Sequence, residues 1–234
     1  MSVDSTGAAC DMLVAIEGID GAGKGTQTRL LAGRASVEGL SVATVSFPRY
    51  GKTNSSRLIA DYLNGRMGTL QKVSPHLVGT LFALDRLESQ RHLQTLLKEH
   101  TLVLADRYVG SNLAYQGARI PESGRDEYIQ WLSSLEFKTY GMPRPDLTIY
   151  FNIIPQLSAG LVSKKQKRSY TEATHDLHEE NTVFQAEVHA TYGLLLNDGL
   201  LGVSIEINCQ NEDGTLRSVE HIGDEAWMAL KAQL

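Results

Sequence analysis

The stretch "IEGIDGAGKGTQTRL", from Ile16 to Leu30, holds the residues whose chemistry is easiest to name. Gly18, Gly23, Lys24 and Thr26 fit the spacing G-x4-G-K-x-[ST]. Glycines spaced in this way let backbone N–H groups turn inward on phosphate oxygens. A lysine ammonium then bridges the terminal phosphates, and the start of the following helix adds positive potential. The expected cradle comprises Gly18, Gly21, Ala22, Gly23, Lys24, Gly25 and Thr26. Gly25 is a departure, because such loops usually carry a serine or threonine hydroxyl there to hold magnesium. A glycine-rich turn without a ligand is the plainer alternative.

A strand must deliver such a cradle and a helix must receive it. "MLVAIEG" (12–18) is a short apolar run ending in glycine, which predicts a strand buried on both faces. Residues 41–47, 101–107, 146–152 and 203–208 read the same way. One helix is expected over 75–98, opened by Pro75, with Leu77, Leu81 and Leu84 as its apolar stripe. Phe184, Val188, Tyr192 and Leu195 mark another stripe over 178–196, and 215–234 reads as a closing amphipathic helix. Strands alternating with helices predict a parallel sheet wrapped by helices, with ligands at the carboxyl ends of the strands. The polar, charged run over 163–181 reads as a mobile lid, about 161–178, and residues 1–11 as a flexible tail. The expected organisation is thus a single domain over 12–234.

The chain has 234 residues, 42% hydrophobic and 21% charged, an ordinary globular balance. Its formal net charge of −5 argues against non-specific binding to nucleic acid or anionic membranes. A bound anion must be drawn by a local cluster. Cys10 and Cys209 are the two cysteines, too few for a disulfide framework or a cysteine metal site, which fits a cytoplasmic setting. The first residues carry no basic start and no apolar run of signal-peptide or membrane-spanning length.

Two absences narrow the chemistry. No Asn-Lys-x-Asp guanine motif occurs, and "LVLADR" places Arg107 after the strand-end Asp106, where many ATPases carry a water-activating glutamate. A phosphotransferase that excludes water fits better. Together "EGIDGAGKGTQ", "FPRYG" (47–51), "LFALDR" (81–86), "DRYVGSNLAYQ" (106–116) and "DLHE" (176–179) resemble the thymidylate kinase family, in its order and spacing, over about residues 12–195. The resemblance implies a P-loop kinase of α/β class: a five-stranded parallel sheet flanked by helices, with a short mobile lid. It implies ATP and dTMP as substrates, Mg²⁺ as cofactor and a homodimer, with no nucleic-acid or membrane partner.

Several roles follow residue by residue. Pro48 stops further pairing after the second strand. Arg49 and Tyr50 are then implied at the acceptor's phosphate, with support of the loop as the alternative for Arg49. Phe82 and Arg86, four apart on a helix, share a face. An aromatic ring and a guanidinium facing one cavity can stack on a base and donate to its carbonyl. The family uses them on thymine, whereas helix period alone leaves Phe82 as plain core. Asp85 is expected to orient a neighbouring arginine. Arg107 fits a phosphate clamp, and Asp106 either orients it or holds a magnesium-bound water. Ser111, Asn112, Tyr115 and Gln116 complete the implied dTMP site. The Asn112 amide suits the Watson–Crick edge of thymine, with a helix cap as its structural alternative, and Tyr115 packs on the sugar. Asp20 is implied at the sugar 3′-hydroxyl or at Mg²⁺, with a turn role as the alternative.

No basic residue lies between Asp20 and Gly23, so the resemblance moves the catalytic cation to the lid, as in the bacterial-type branch. Lys164, Lys165, Lys167 and Arg168 are the candidates, and Arg168 is preferred for its permanent charge and fork. Glu179 matches the lid glutamate and joins Asp20 as an implied magnesium ligand. His175 and His178 leave a transition-metal site as an alternative. The acceptor is a phosphate whose second pKa is about 6, so no general base is required. An adenylate-type kinase, a deoxynucleoside kinase and a non-catalytic nucleotide sensor are the rival readings. The set Phe82, Arg86, Asn112 and Tyr115 discriminates against the other kinases, and a sensor would predict damage to the reactive positions, yet Asp20, Lys24, Arg107 and Glu179 are all present.

Overall fold

A computed structural model describes residues 12–162 and 182–234. The expectations on the tail, on the four basic residues of the lid and on Glu179, His175 and His178 lie outside those residues. Five strands form one sheet: β1 (Met12–Glu17), β2 (Val42–Ser46), β3 (Leu102–Asp106), β4 (Leu147–Asn152) and β5 (Ser204–Asn208). Their order is β2-β3-β1-β4-β5 and every pairing is parallel. β1 is buried throughout, and β3 and β4 at every residue but the last. The edge strands differ from expectation. Only Val45 of β2 and Ile207 of β5 are buried, because an edge strand is covered on fewer sides than a central one.

The helices among the described residues are α1 (Lys24–Val37), α2 (Asn54–Leu63), α3 (Pro75–Glu88), α4 (Gln90–Glu99), α5 (Val109–Gly117), α6 (Glu122–Ser134), α7 (Pro155–Val162), α8 (Thr182–Asn197) and α9 (Val219–Lys231). A one-turn π-helix, Leu135–Thr139, extends α6. The single helix expected over 75–98 is two. Ser89 ends α3 and precedes α4, its hydroxyl donating to the Asp85 carbonyl at 2.8 Å and its N–H to those of Asp85 and Arg86. A serine can break a helix in this way without glycine or proline. The expected stripe also fails, since Leu77 is 69% exposed. α3 instead buries Val78, Gly79, Ala83, Asp85 and Arg86.

The second stripe holds. Phe184, Val188, Tyr192 and Leu195 of α8 are all buried. The closing helix α9 buries Ile222, Ala226 and Leu230, and Gln27 of α1 donates to its first carbonyl, Val219 O, at 2.9 Å. None of the helices among the described residues is long and apolar enough to cross a membrane. Strand order reverses about β1, and the glycine loop leaves from that strand's carboxyl end, where open α/β sheets take their ligands.

Candidate active site

The loop between β1 and α1 turns on glycines with positive φ: 149° at Gly18, 84° at Gly21 and 81° at Gly23. At Gly21 the constraint is steric as well. A Cβ there would lie 2.5 Å from the Ser158 carbonyl oxygen, so no arginine can occupy that position. Gly23 caps α1 without a side chain, which turns the helix's positive pole outward. Lys24 is buried, and its Nζ donates to the carbonyls of Gly18 at 2.9 Å and Ile19 at 2.7 Å. Gly23, Lys24, Gly25 and Thr26 line a cavity of about 540 Å³; Gly18, Gly21 and Ala22 shape the loop behind them.

The same cavity reaches the ends of β2 and β3 and the faces of α3 and α5. Its lining includes Asp20, Phe47, Tyr50, Phe82, Arg86, Asp106, Arg107, Ser111, Asn112, Tyr115 and Gln116. The fold thus brings together residues nearly a hundred positions apart. Of the expected acceptor-side residues, Arg49 alone is absent from the lining. Its backbone N–H is held by Asp85 Oδ2 at 3.0 Å, and Asp85 also accepts from the Thr53 hydroxyl. Asp85 therefore orients Arg49 through the main chain. Burial raises the Asp85 pKa despite those bonds.

Arg107 adopts a left-handed backbone, φ 64°, rare for a residue with a Cβ and common where function sets geometry. Its N–H donates to the Ile16 carbonyl at 3.0 Å and its guanidinium pairs with Asp20. Burial opposes the charge, but the Asp20 carboxylate holds the Arg107 pKa well above its ordinary value. Asp20 also accepts from the Tyr115 hydroxyl at 2.9 Å and from Gln185 Nε2 at 3.2 Å. Burial and the Asp20 carboxylate together push the Tyr115 phenol well up. Gln185, from α8, was not legible in the sequence; neither its type nor its spacing ties it to the loop.

At the far end, Arg86 is 2% exposed and its Nε donates to Glu136 Oε2 at 2.8 Å, while Nη2 pairs with Oε1. Burial opposes this charge too, and Glu136 more than offsets it. Glu136 sits in the π-turn and is fully buried. Its Oε1 also accepts from Asn112 Nδ2 at 2.9 Å, and Nδ2 reaches the Gly79 carbonyl at the same distance. Both amide hydrogens of Asn112 are thereby used. Asn112 Oδ1 is buried and has no hydrogen-bond partner among the described residues. An orphaned buried acceptor at a cavity wall points to a ligand donor. Arg86 lies 6.0 Å from the Phe47 ring centroid, and Phe82 shares the wall.

A second buried carboxylate sets α5. Glu17 Oε1 accepts the N–H groups of Tyr108 at 2.9 Å and Ser111 at 3.0 Å. Its Oε2 accepts the hydroxyls of Ser111 at 2.5 Å and Tyr192 at 2.8 Å. Ser111 is thus committed to the scaffold, and Gln116 accepts from Arg119 Nη1 at 2.7 Å. Sequence reasoning quoted Glu17 and missed its role. Glu136 it missed outright, 50 residues from its partner.

The donors suit a hard cation. A Cβ on residue 25 would lie 3.1 Å from Asp106 Oδ2, so a carboxylate occupies the corner a hydroxyl on that residue would reach. Carboxylate oxygens of this kind match magnesium's preference. No group of three or more His, Cys, Asp or Glu that could hold a metal occurs among the described residues.

Comparison with known proteins agrees in sequence and in shape. The family model described as thymidylate kinase matches residues 16–204. A thymidylate kinase of Mycobacterium tuberculosis is 35% identical over 205 residues, covering 88% of this chain and 95% of that protein. A probable thymidylate kinase of Pyrobaculum aerophilum is 33% identical over 154 residues, or 65% of this chain and 70% of that one. The solved thymidylate kinase of Candida albicans superposes with a TM-score of 0.71 over 94% of this chain and 91% of its own. At 22% identity that likeness is one of fold. With four-fifths of its length matched by one family model and nearly all of a relative covered, this chain belongs to the thymidylate kinase family.

Proposed function

We propose that the enzyme transfers the terminal phosphoryl group of ATP to dTMP, giving ADP and dTDP, a step of dTTP synthesis. The observation that carries the proposal is the fixed polarity of Asn112. Its NH₂ is spent on Glu136 and Gly79, so it offers a ligand only an acceptor. Beside it, Arg86 offers only donors. A ring N–H next to a carbonyl satisfies both, which thymine presents at N3 and O4. Cytosine and adenine place an acceptor nitrogen where the N–H is needed, and leaving Asn112 Oδ1 unpaired costs about 1–3 kcal/mol.

Lys24 and the start of α1 hold the donor phosphates, and the acceptor lies between Tyr50, Arg107 and the base end. Asp20 and Tyr115 border its sugar. The acceptor phosphate is ionised at neutral pH, so alignment and charge neutralisation suffice. Arg107, aimed by Asp20 and its left-handed backbone, neutralises from the protein side. Asp106, with Asp20 and Glu179, would hold Mg²⁺, whose charge offsets that of the donor phosphates. Gly21 bars an arginine from its own position in the loop, which supports a lid cation, Arg168 first, with Lys164, Lys165 and Lys167 beside it. The cytoplasmic setting and homodimer implied by the family belong to the same proposal.

A coupled ADP-release assay with dTMP, dUMP, AMP, CMP and GMP as acceptors tests it. Turnover is expected to be fastest with dTMP, followed by dUMP. Preference for AMP, or no turnover with any acceptor, would overturn the assignment.

A further inference from the structure

Transfer of a phosphoryl group needs cations on the moving charge. The described residues lining the cavity supply four: Lys24, Arg29, Arg86 and Arg107. Lys24 donates to two loop carbonyls, Arg86 is clamped by Glu136 and Arg107 is paired with Asp20. Arg29 differs. It has no ion pair among the described residues, and its one hydrogen bond there runs from Nε to the Gly25 carbonyl, at 3.2 Å.

We infer that Arg29 is a phosphate-binding cation of the donor site, reaching the terminal phosphates across Gly25. This rests on the assignment of the glycine loop to the phosphoryl donor. Side chains on a helix lean toward its N-terminus and meet residues four positions back. Arg29 lies one turn along α1 from Gly25, so its side chain runs back toward the cradle, and the Nε bond fixes that direction. Both Nη groups remain available to oxygen ligands, and the guanidinium fork matches phosphate geometry. The far side of Gly25 is bounded by Asp106, whose Oδ2 would lie 3.1 Å from a Cβ there.

Arg29 is exposed, so its replacement leaves folding unaffected, which a thermal melt checks. Steady-state kinetics of Arg29→Ala with ATP and dTMP varied separately are expected to show kcat/KM for ATP reduced by about 10²-fold. The KM for dTMP should stay within about two-fold, because the acceptor pocket is untouched. Arg29→Lys should recover part of the loss, as a point charge without the fork. Calorimetric titration with ATP alone supplies a readout that needs no turnover, and a weakening of about ten-fold is expected in Arg29→Ala. Unchanged ATP affinity and kinetics, or equal losses toward ATP and dTMP, would overturn the role of Arg29. Failure of the wild-type enzyme to phosphorylate dTMP would sink the proposed reaction instead, and the ATP titration would still decide the role of Arg29.

Discussion

At the α3–α5 end of the cavity, Glu136 Oε1 accepts from Arg86 and Asn112 together, and that shared oxygen limits what each can offer a ligand. The types of Arg86 and Asn112 were legible in "FALDR" and "SNLAYQ". Their polarity was not. An asparagine amide read from sequence can donate or accept, and only its surroundings remove one choice. Glu136→Gln preserves shape and deletes the charge paired directly with the buried Arg86 guanidinium, leaving Asp85 as a more distant carboxylate. Breaking a buried pair in this way costs about 3–5 kcal/mol of stability, measurable by urea unfolding. In the fraction that folds, the KM for dTMP is expected to rise about ten-fold or more while that for ATP is unchanged. Equal KM values for dTMP in the two proteins would show that Glu136 does not set the base site.

α5 carries Asn112, Tyr115 and Gln116, and its position depends on a carboxylate from the neighbouring strand. Glu17 takes two N–H groups at the start of that helix and two hydroxyls, with no Lys or Arg paired to it among the described residues. Acidic groups favour helix N-termini, but here the acid comes from another element, so no capping pattern in the α5 sequence reveals it. Glu17→Ala strands three buried donors, because the Ser111 and Tyr192 hydroxyls can still bond each other at 3.1 Å, and each can cost about 1–3 kcal/mol. Even a net loss of about 3 kcal/mol lowers the melting temperature by roughly 6–12 °C for a chain of this size. A melt within a degree or two of wild type would contradict this account of α5. Elements were otherwise legible where apolar runs were continuous, as in β1, β3 and β4. α3 misled because Leu77 faces outward and Leu81 and Leu84 are only half-buried, while Gly79, Ala83 and the Asp85–Arg86 pair face inward. A helix that builds a polar site buries small and charged residues, and counting leucines then selects the wrong face. The break at Ser89 left no signal because a serine hydroxyl ended the helix where no glycine or proline stands.

Across the whole molecule, an acidic chain of net charge −5 gathers four cationic side chains around one cavity at the carboxyl edge of its sheet. The parallel sheet was readable from strand–helix alternation, and the motifs at strand ends named most of the residues that gather around one cavity. The cross-links were not, since Gln185 to Asp20 spans 165 positions and Glu17 to Tyr192 spans 175. Only the closed fold brings such pairs together. The most direct test is a single reaction containing ATP, Mg²⁺ and equimolar dTMP and dCMP, with products separated by chromatography. The fixed acceptor of Asn112 and the fixed donors of Arg86 predict dTDP over dCDP by on the order of 10²-fold. Comparable amounts of the two diphosphates, or inorganic phosphate as the main product, would contradict it.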